Sequence, residues 1–189
     1  MYDRQKALVL MEEHLKSEHL VKHSYAVEAV MAALAKKLDP DNVERWAFAG
    51  LVHDMDADLV DYKNDENHLH GPKAAEILKE ENLGDEEIYH AIKAHNKATG
   101  VKVETAMDQA LYAADPITGF ITAITFVYPD KKINSVKAKS ITKRMKETRF
   151  AAGADRDAMR SIEKLGISFP DFAALSLEAM KEIGEELGL

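Results

Sequence analysis

The chain of 189 residues is predicted to be all-α, a single-domain helical bundle. Three observations carry that prediction. Apolar positions recur at helical spacing almost everywhere, two-residue alternation is scarce, and no linker divides the chain, whose length suits one domain with a real core. A first helix is expected over about residues 3–17 and a second over about 22–38, stopping before "DPDN". On the second, His23, Val27, Val30, Met31 and Leu34 share one face. A third spans about 41–54, with Trp46, Ala49, Gly50 and His53 in one stripe. The Asp- and Asn-rich stretch "ADLVDYKNDENHLHGP" has no periodicity and reads as a loop carrying His68 and His70. Gly71 and Pro72 then open a helix, Pro being tolerated in a first turn. The next begins near Asp85 and brings Ile88, Ala91, Ile92 and His95 to one side, until "NKATG" closes it. From Glu104 or Thr105 another helix aligns Met107, Leu111, Ala114 and Asp115, and Pro116 disfavours its continuation there. "TGFITAITFVY" crowds β-branched and aromatic residues, which suits a short strand or a buried helix. A basic helix is expected over 135–149, with Lys137, Lys139, Lys143, Arg144 and Arg149, and an amphipathic one from Ser168 and Asp171 onward.

Composition narrows the function. A formal charge of -8 argues against a generic nucleic-acid backbone binder, which needs excess Lys and Arg. There is no Cys, so a disulfide framework, a thiolate metal site and a cysteine nucleophile are all excluded. The N-terminal stretch has no signal-peptide core, and no run of apolar residues reads as a membrane span, so a soluble cytoplasmic protein is expected.

His23, His53, Asp54, His95 and Asp115 lie near the ends of apolar stripes, and His70 leads into a helix. Any one His in such a place is more often a hydrogen-bonded core residue than a ligand. Together they converge on one core. A set of His and Asp without Cys fits Zn²⁺, Mn²⁺ or Fe²⁺ better than Ca²⁺, which prefers oxygen alone. His14, His19, His68 and His90 are read as non-ligands. Asp56 and Asp58 are read as loop carboxylates, the alternative being that they orient a ligand imidazole.

The order of these residues resembles the HD superfamily of metal-dependent phosphohydrolases, with His23 early, the adjacent His53–Asp54 pair and the distant Asp115 in "LYAAD". The resemblance covers about residues 20–125, through "KHSYAVEAVMAALA", "WAFAGLVHDMD", "HGPKAAEIL" and "IKAHNKATG", and leaves about 126–189 as a helical extension without a motif. It implies that His23, His53, Asp54 and Asp115 bind one divalent metal, and that His70 and His95 are the added ligands of members with two. The positions of His70 and His95 also look like bacterial HD hydrolases of dinucleoside polyphosphates. The Gly-Tyr-Pro feature of the cyclic-dinucleotide branch is missing.

On that resemblance one or two ions (Mn, Fe, Zn, Co or Ni) activate a water that attacks phosphorus, with Asp54 bridging. With one ion only, His70 and His95 would position phosphate or donate a proton. Lys73 and Lys97 are candidates to neutralise a substrate phosphate, against the simpler reading of solvated lysines. The expected partner is a small phosphorylated substrate, a nucleotide first, with no membrane and a homodimer open. The competing readings are a non-catalytic metal-binding HD module for sensing or protein interaction, and a helical structural protein without metal.

Overall fold

A computed structural model describes residues 2–189, and among them 68% are helical and none forms a strand. The chain runs through α1 (Arg4–His14), α2 (Glu18–Leu38), α3 (Val43–Val52), α4 (Pro72–Glu80), α5 (Glu86–His95) and α6 (Ala106–Val127). It continues through α7 (Ala138–Arg144), α8 (Arg156–Arg160), α9 (Phe169–Glu182) and α10 (Gly184–Leu187). Nearly all of the buried apolar side chains form one continuous cluster.

α2 and α6 are the axial members. α2 packs on α3, α6 and α9, while α6 packs on α2, α5, α8 and α9. The α2–α3 contact is close because Gly50 has no side chain: a Cβ there would lie 2.8 Å from the Val27 carbonyl oxygen. This backbone proximity sets His23 on α2 beside His53 at the end of α3.

Several boundaries differ from the sequence expectation. The first helix stops at His14, and α2 begins at Glu18, earlier than position 22. The reason lies outside both helices: the Asp58 carboxylate accepts from the Lys16 and Ser17 amides and the Ser17 hydroxyl, holding the chain open at that joint. α6 does not stop at Pro116 but runs on to Val127, absorbing "TGFITAITFV" as a helix with one buried face. Thr105 and Asp108 form a reciprocal capping box at its start, and thirteen buried residues along its length outweigh the one hydrogen bond that Pro116 removes. α6 is also the one helix among the described residues long and apolar enough to cross a bilayer by length and composition, and more than half of that stretch is buried in the bundle.

The basic segment 135–149 is helical only over Ala138–Arg144. Beyond it the Arg156 guanidinium donates to the carbonyls of Glu147, Phe150, Ala151 and Ala154, satisfying that non-helical backbone from the side. α8 and the 3₁₀ segment Ser161–Leu165 were not legible as separate elements.

Candidate metal centre

The site is built from the ends and inner faces of four helices and one loop. His23 projects from the second turn of α2, His53 caps α3 with Asp54 next, and His70 sits two residues before α4. His95 is the last residue of α5, and Asp115 lies in mid-α6. The fold brings all six together. Asp54 Oδ1 lies 3.1 Å from His53 Nε2, 3.3 Å from His70 Nε2 and 3.4 Å from His95 Nε2. Its Oδ2 lies 3.5 Å from His23 Nε2, which is 3.0 Å from Asp115 Oδ1. Two triplets, His23–His53–Asp115 and His53–Asp54–His95, place one ligand atom each within 4.8 Å of the others.

The second nitrogen of every ring is already committed. His53 Nδ1 is 2.8 Å from the Gly50 carbonyl, and His95 Nδ1 bonds the Ile92 carbonyl. A carbonyl only accepts, so both rings carry their hydrogen on Nδ1. His70 Nδ1 is 2.8 Å from Asp56 Oδ1. His23 Nδ1 is 3.1 Å from Thr118 Oγ1, whose own hydrogen goes to the Asp115 carbonyl, leaving that oxygen to accept from the ring. In their neutral forms all four imidazoles therefore aim an Nε2 lone pair at two carboxylates.

Lone pairs facing lone pairs in a buried place repel unless a cation stands between them. His53 shows this most plainly: it is fully buried, its Nε2 has no hydrogen-bond partner, and burial pushes its pKa down to about 4. Among the described residues no Lys or Arg pairs with Asp54 or Asp115. Protons are one source of countercharge. Burial opposes charge on His70, but hydrogen bonds with Asp54 and Asp56 raise its pKa to about 10. Burial alone would raise the Asp54 carboxyl, yet His53, His70 and His95 hold it well below the usual carboxylate range. A divalent ion is the other source, and it fits the donor set: neutral imidazole Nε2 atoms with carboxylate oxygens, each ring oriented by a partner behind it.

Asp56 is more than a loop carboxylate. It is fully buried, and besides His70 it accepts from the Gly71 and Ala74 amides, tying the imidazole to the start of α4. The signal was its place two residues after Asp54. Thr118, three residues beyond Asp115 on α6, was missed altogether, although that spacing puts both on one helix face. Asp58 orients no imidazole; it accepts from the Lys16 and Ser17 amides at the joint between α1 and α2 instead.

Two cavities open on the cluster. The larger, about 800 Å³, is lined by His23, Asp54, His70 and Asp115 and continues along α6. The smaller, about 290 Å³, reaches His70, His95 and Asp115 from the side of Asn96, Lys97 and Tyr112. Lys97 thus borders the site, with its ammonium 2.7 Å from Asp155. Lys73 lines neither cavity; its ammonium points to Glu76, 2.8 Å away, because the first turn of α4 carries it outward. The basic residues of 135–149 line neither cavity either.

A family model described as "HD domain" matches residues 20–119, just over half of the chain. That span holds all six clustered residues and ends before the last eight residues of α6. No curated protein and no solved structure matches the chain.

Proposed function

The chain belongs to the HD-domain family, and from that premise we propose that it is a metal-dependent phosphohydrolase acting on an ester or anhydride of a nucleotide or related small phosphorylated metabolite. The observation that carries the reading is the convergence of four Nε2 lone pairs on two carboxylates at the floor of an open cavity. A divalent ion bound there supplies Lewis acidity toward a water and toward phosphoryl oxygens.

The chain's own residues divide the work. His23, His53, Asp54 and Asp115 would hold one ion, and where a second binds, His70 and His95 would hold it together with Asp54. Asp56 and Thr118 keep the His70 and His23 rings in the tautomer that leaves Nε2 free. Where a single ion binds, His70 and His95 face the phosphate instead and can pass a proton to the leaving oxygen. Lys97 borders the smaller chamber and offers positive charge to a phosphate once it leaves Asp155. A purely binding or sensing module has no need of a cavity that exposes its ligand atoms, which sets the non-catalytic reading second.

The test is elemental analysis of the purified protein together with turnover of phosphate monoesters, phosphodiesters and dinucleoside polyphosphates with added Mn²⁺, Fe²⁺, Co²⁺, Ni²⁺ or Zn²⁺. One or two ions per chain with turnover of one class supports the proposal. Bound metal without turnover of any class favours the sensing module, and no metal at all overturns both.

A further inference from the structure

α6 lines the larger cavity with a single face. Asp115, Thr118 or Gly119, Thr122 and Phe126 recur at intervals of three or four residues and all border it. Eleven residues separate Asp115 from Phe126, which is roughly 16 Å along a helix. The trough therefore begins at the metal cluster and ends at an aromatic ring that is 55% exposed.

Much of its wall is apolar. Leu20 and Ala26 of α2 stand on one side, and Leu187 and Leu189 on another, all nearly buried beneath the open space. The two hydroxyls in the middle of the trough are not free to read a ligand, since Thr118 donates to the Asp115 carbonyl and Thr122 to the Thr118 carbonyl. Lys22, at the rim, is paired with Glu18 at 2.6 Å. The other polar side chains that line the cavity, His19 and Tyr62, are both exposed.

Gly119 gives the second observation. It lies in a helix interior, where glycine is unfavourable relative to alanine. Its backbone is ordinary helix, and a Cβ would meet nothing within 4 Å. Close packing and left-handed geometry, which account for Gly50 and Gly71, do not account for it. What its missing side chain leaves is width in the trough.

We infer that this trough is a specificity pocket, and that the phosphorylated substrate carries an extended apolar group that lies along α6 from the cluster toward Phe126. The inference rests on the phosphohydrolase reading for the phosphate end and on the trough alone for the rest.

Calorimetric titration of the Mn²⁺-loaded full chain with methylphosphonate, octylphosphonate and adenosine 5′-monophosphate tests it without turnover. Octylphosphonate is expected to bind about 100-fold more tightly than methylphosphonate, as burial of part of its methylene chain predicts. In Gly119→Leu and in Phe126→Ser that ratio is expected to fall below about 10-fold, with unchanged circular dichroism showing that both variants fold. Equal affinity for the two alkyl compounds overturns the trough and leaves phosphonate binding at the cluster standing. Tighter binding of the nucleotide than of octylphosphonate overturns the apolar group while supporting the nucleotide. Absence of binding by all three, with Mn²⁺ bound, overturns the trough together with the phosphohydrolase reading.

Discussion

Each imidazole of the cluster is held by an acceptor behind it, and the cost of removing one such partner is a measurable quantity. Asp56→Asn keeps the volume but weakens the charge-assisted bond to His70 Nδ1, so metal affinity is expected to fall about 10–100-fold in competition with a chromophoric chelator. Asp54→Ala removes the oxygen around which three Nε2 atoms gather. The variant is expected to fold, and its melting temperature should ignore added Mn²⁺, whereas the parent rises by about 5–10 °C at a hundredfold excess over its dissociation constant. A metal-dependent melting temperature in Asp54→Ala would remove its assigned role. At this scale much of the site was readable in the chain. His23, His53, Asp54, His95 and Asp115 each place a polar group at the end of an apolar stripe, an arrangement that burial penalises unless a partner is present. Asp56 and Thr118 were harder, because an orienting residue looks like any loop carboxylate or helix hydroxyl until the ring it touches is located.

Helix by helix, the signals that held were periodicity and caps. α5 starts where Asp85 can accept from the Glu87 and Ile88 amides, and α9 where Ser168 can accept from Asp171. Pro116 misleads because its local preference against helix carries no information about the packing that overrides it on both sides. The α2–α3 pair carries a sharper prediction. Gly50→Ala would press a methyl group onto the Val27 carbonyl, which is backbone and cannot swing away. A loss of about 1–3 kcal/mol is expected, seen as a lower urea midpoint at unchanged slope. Metal affinity should fall with it, since the same contact sets the spacing of His23 and His53. An unchanged midpoint would mean that the helices separate at no cost.

Across the whole molecule, Asp85 links distant parts. Its carboxylate receives two bonds of 2.8 Å from Arg45 of α3 and another from Tyr2, while capping α5. The Arg45 guanidinium, chiefly, holds this carboxyl far below its usual range. A depressed folded-state pKa means that the contribution to stability is complete above the ordinary carboxylate range and is lost as the pH falls through the lower value. Asp85→Asn, which retains a capping side chain, should therefore melt about 1–3 °C below the parent at pH 7, with the gap closing toward pH 2. A gap that stays constant with pH would assign the effect to packing. The sequence by itself determined the helical class, most helix positions, the exclusion of thiolate chemistry, and a set of polar residues too costly to bury without a shared partner, because periodicity and desolvation act through residue type and spacing. Only the tertiary structure decided which nitrogen of each ring faces the carboxylates, that Lys73 points away from the site, that Asp56 stands behind His70, and that a trough leads from the cluster along α6. Those depend on which surfaces meet across the bundle, and contacts between residues tens of positions apart leave no local pattern in the chain.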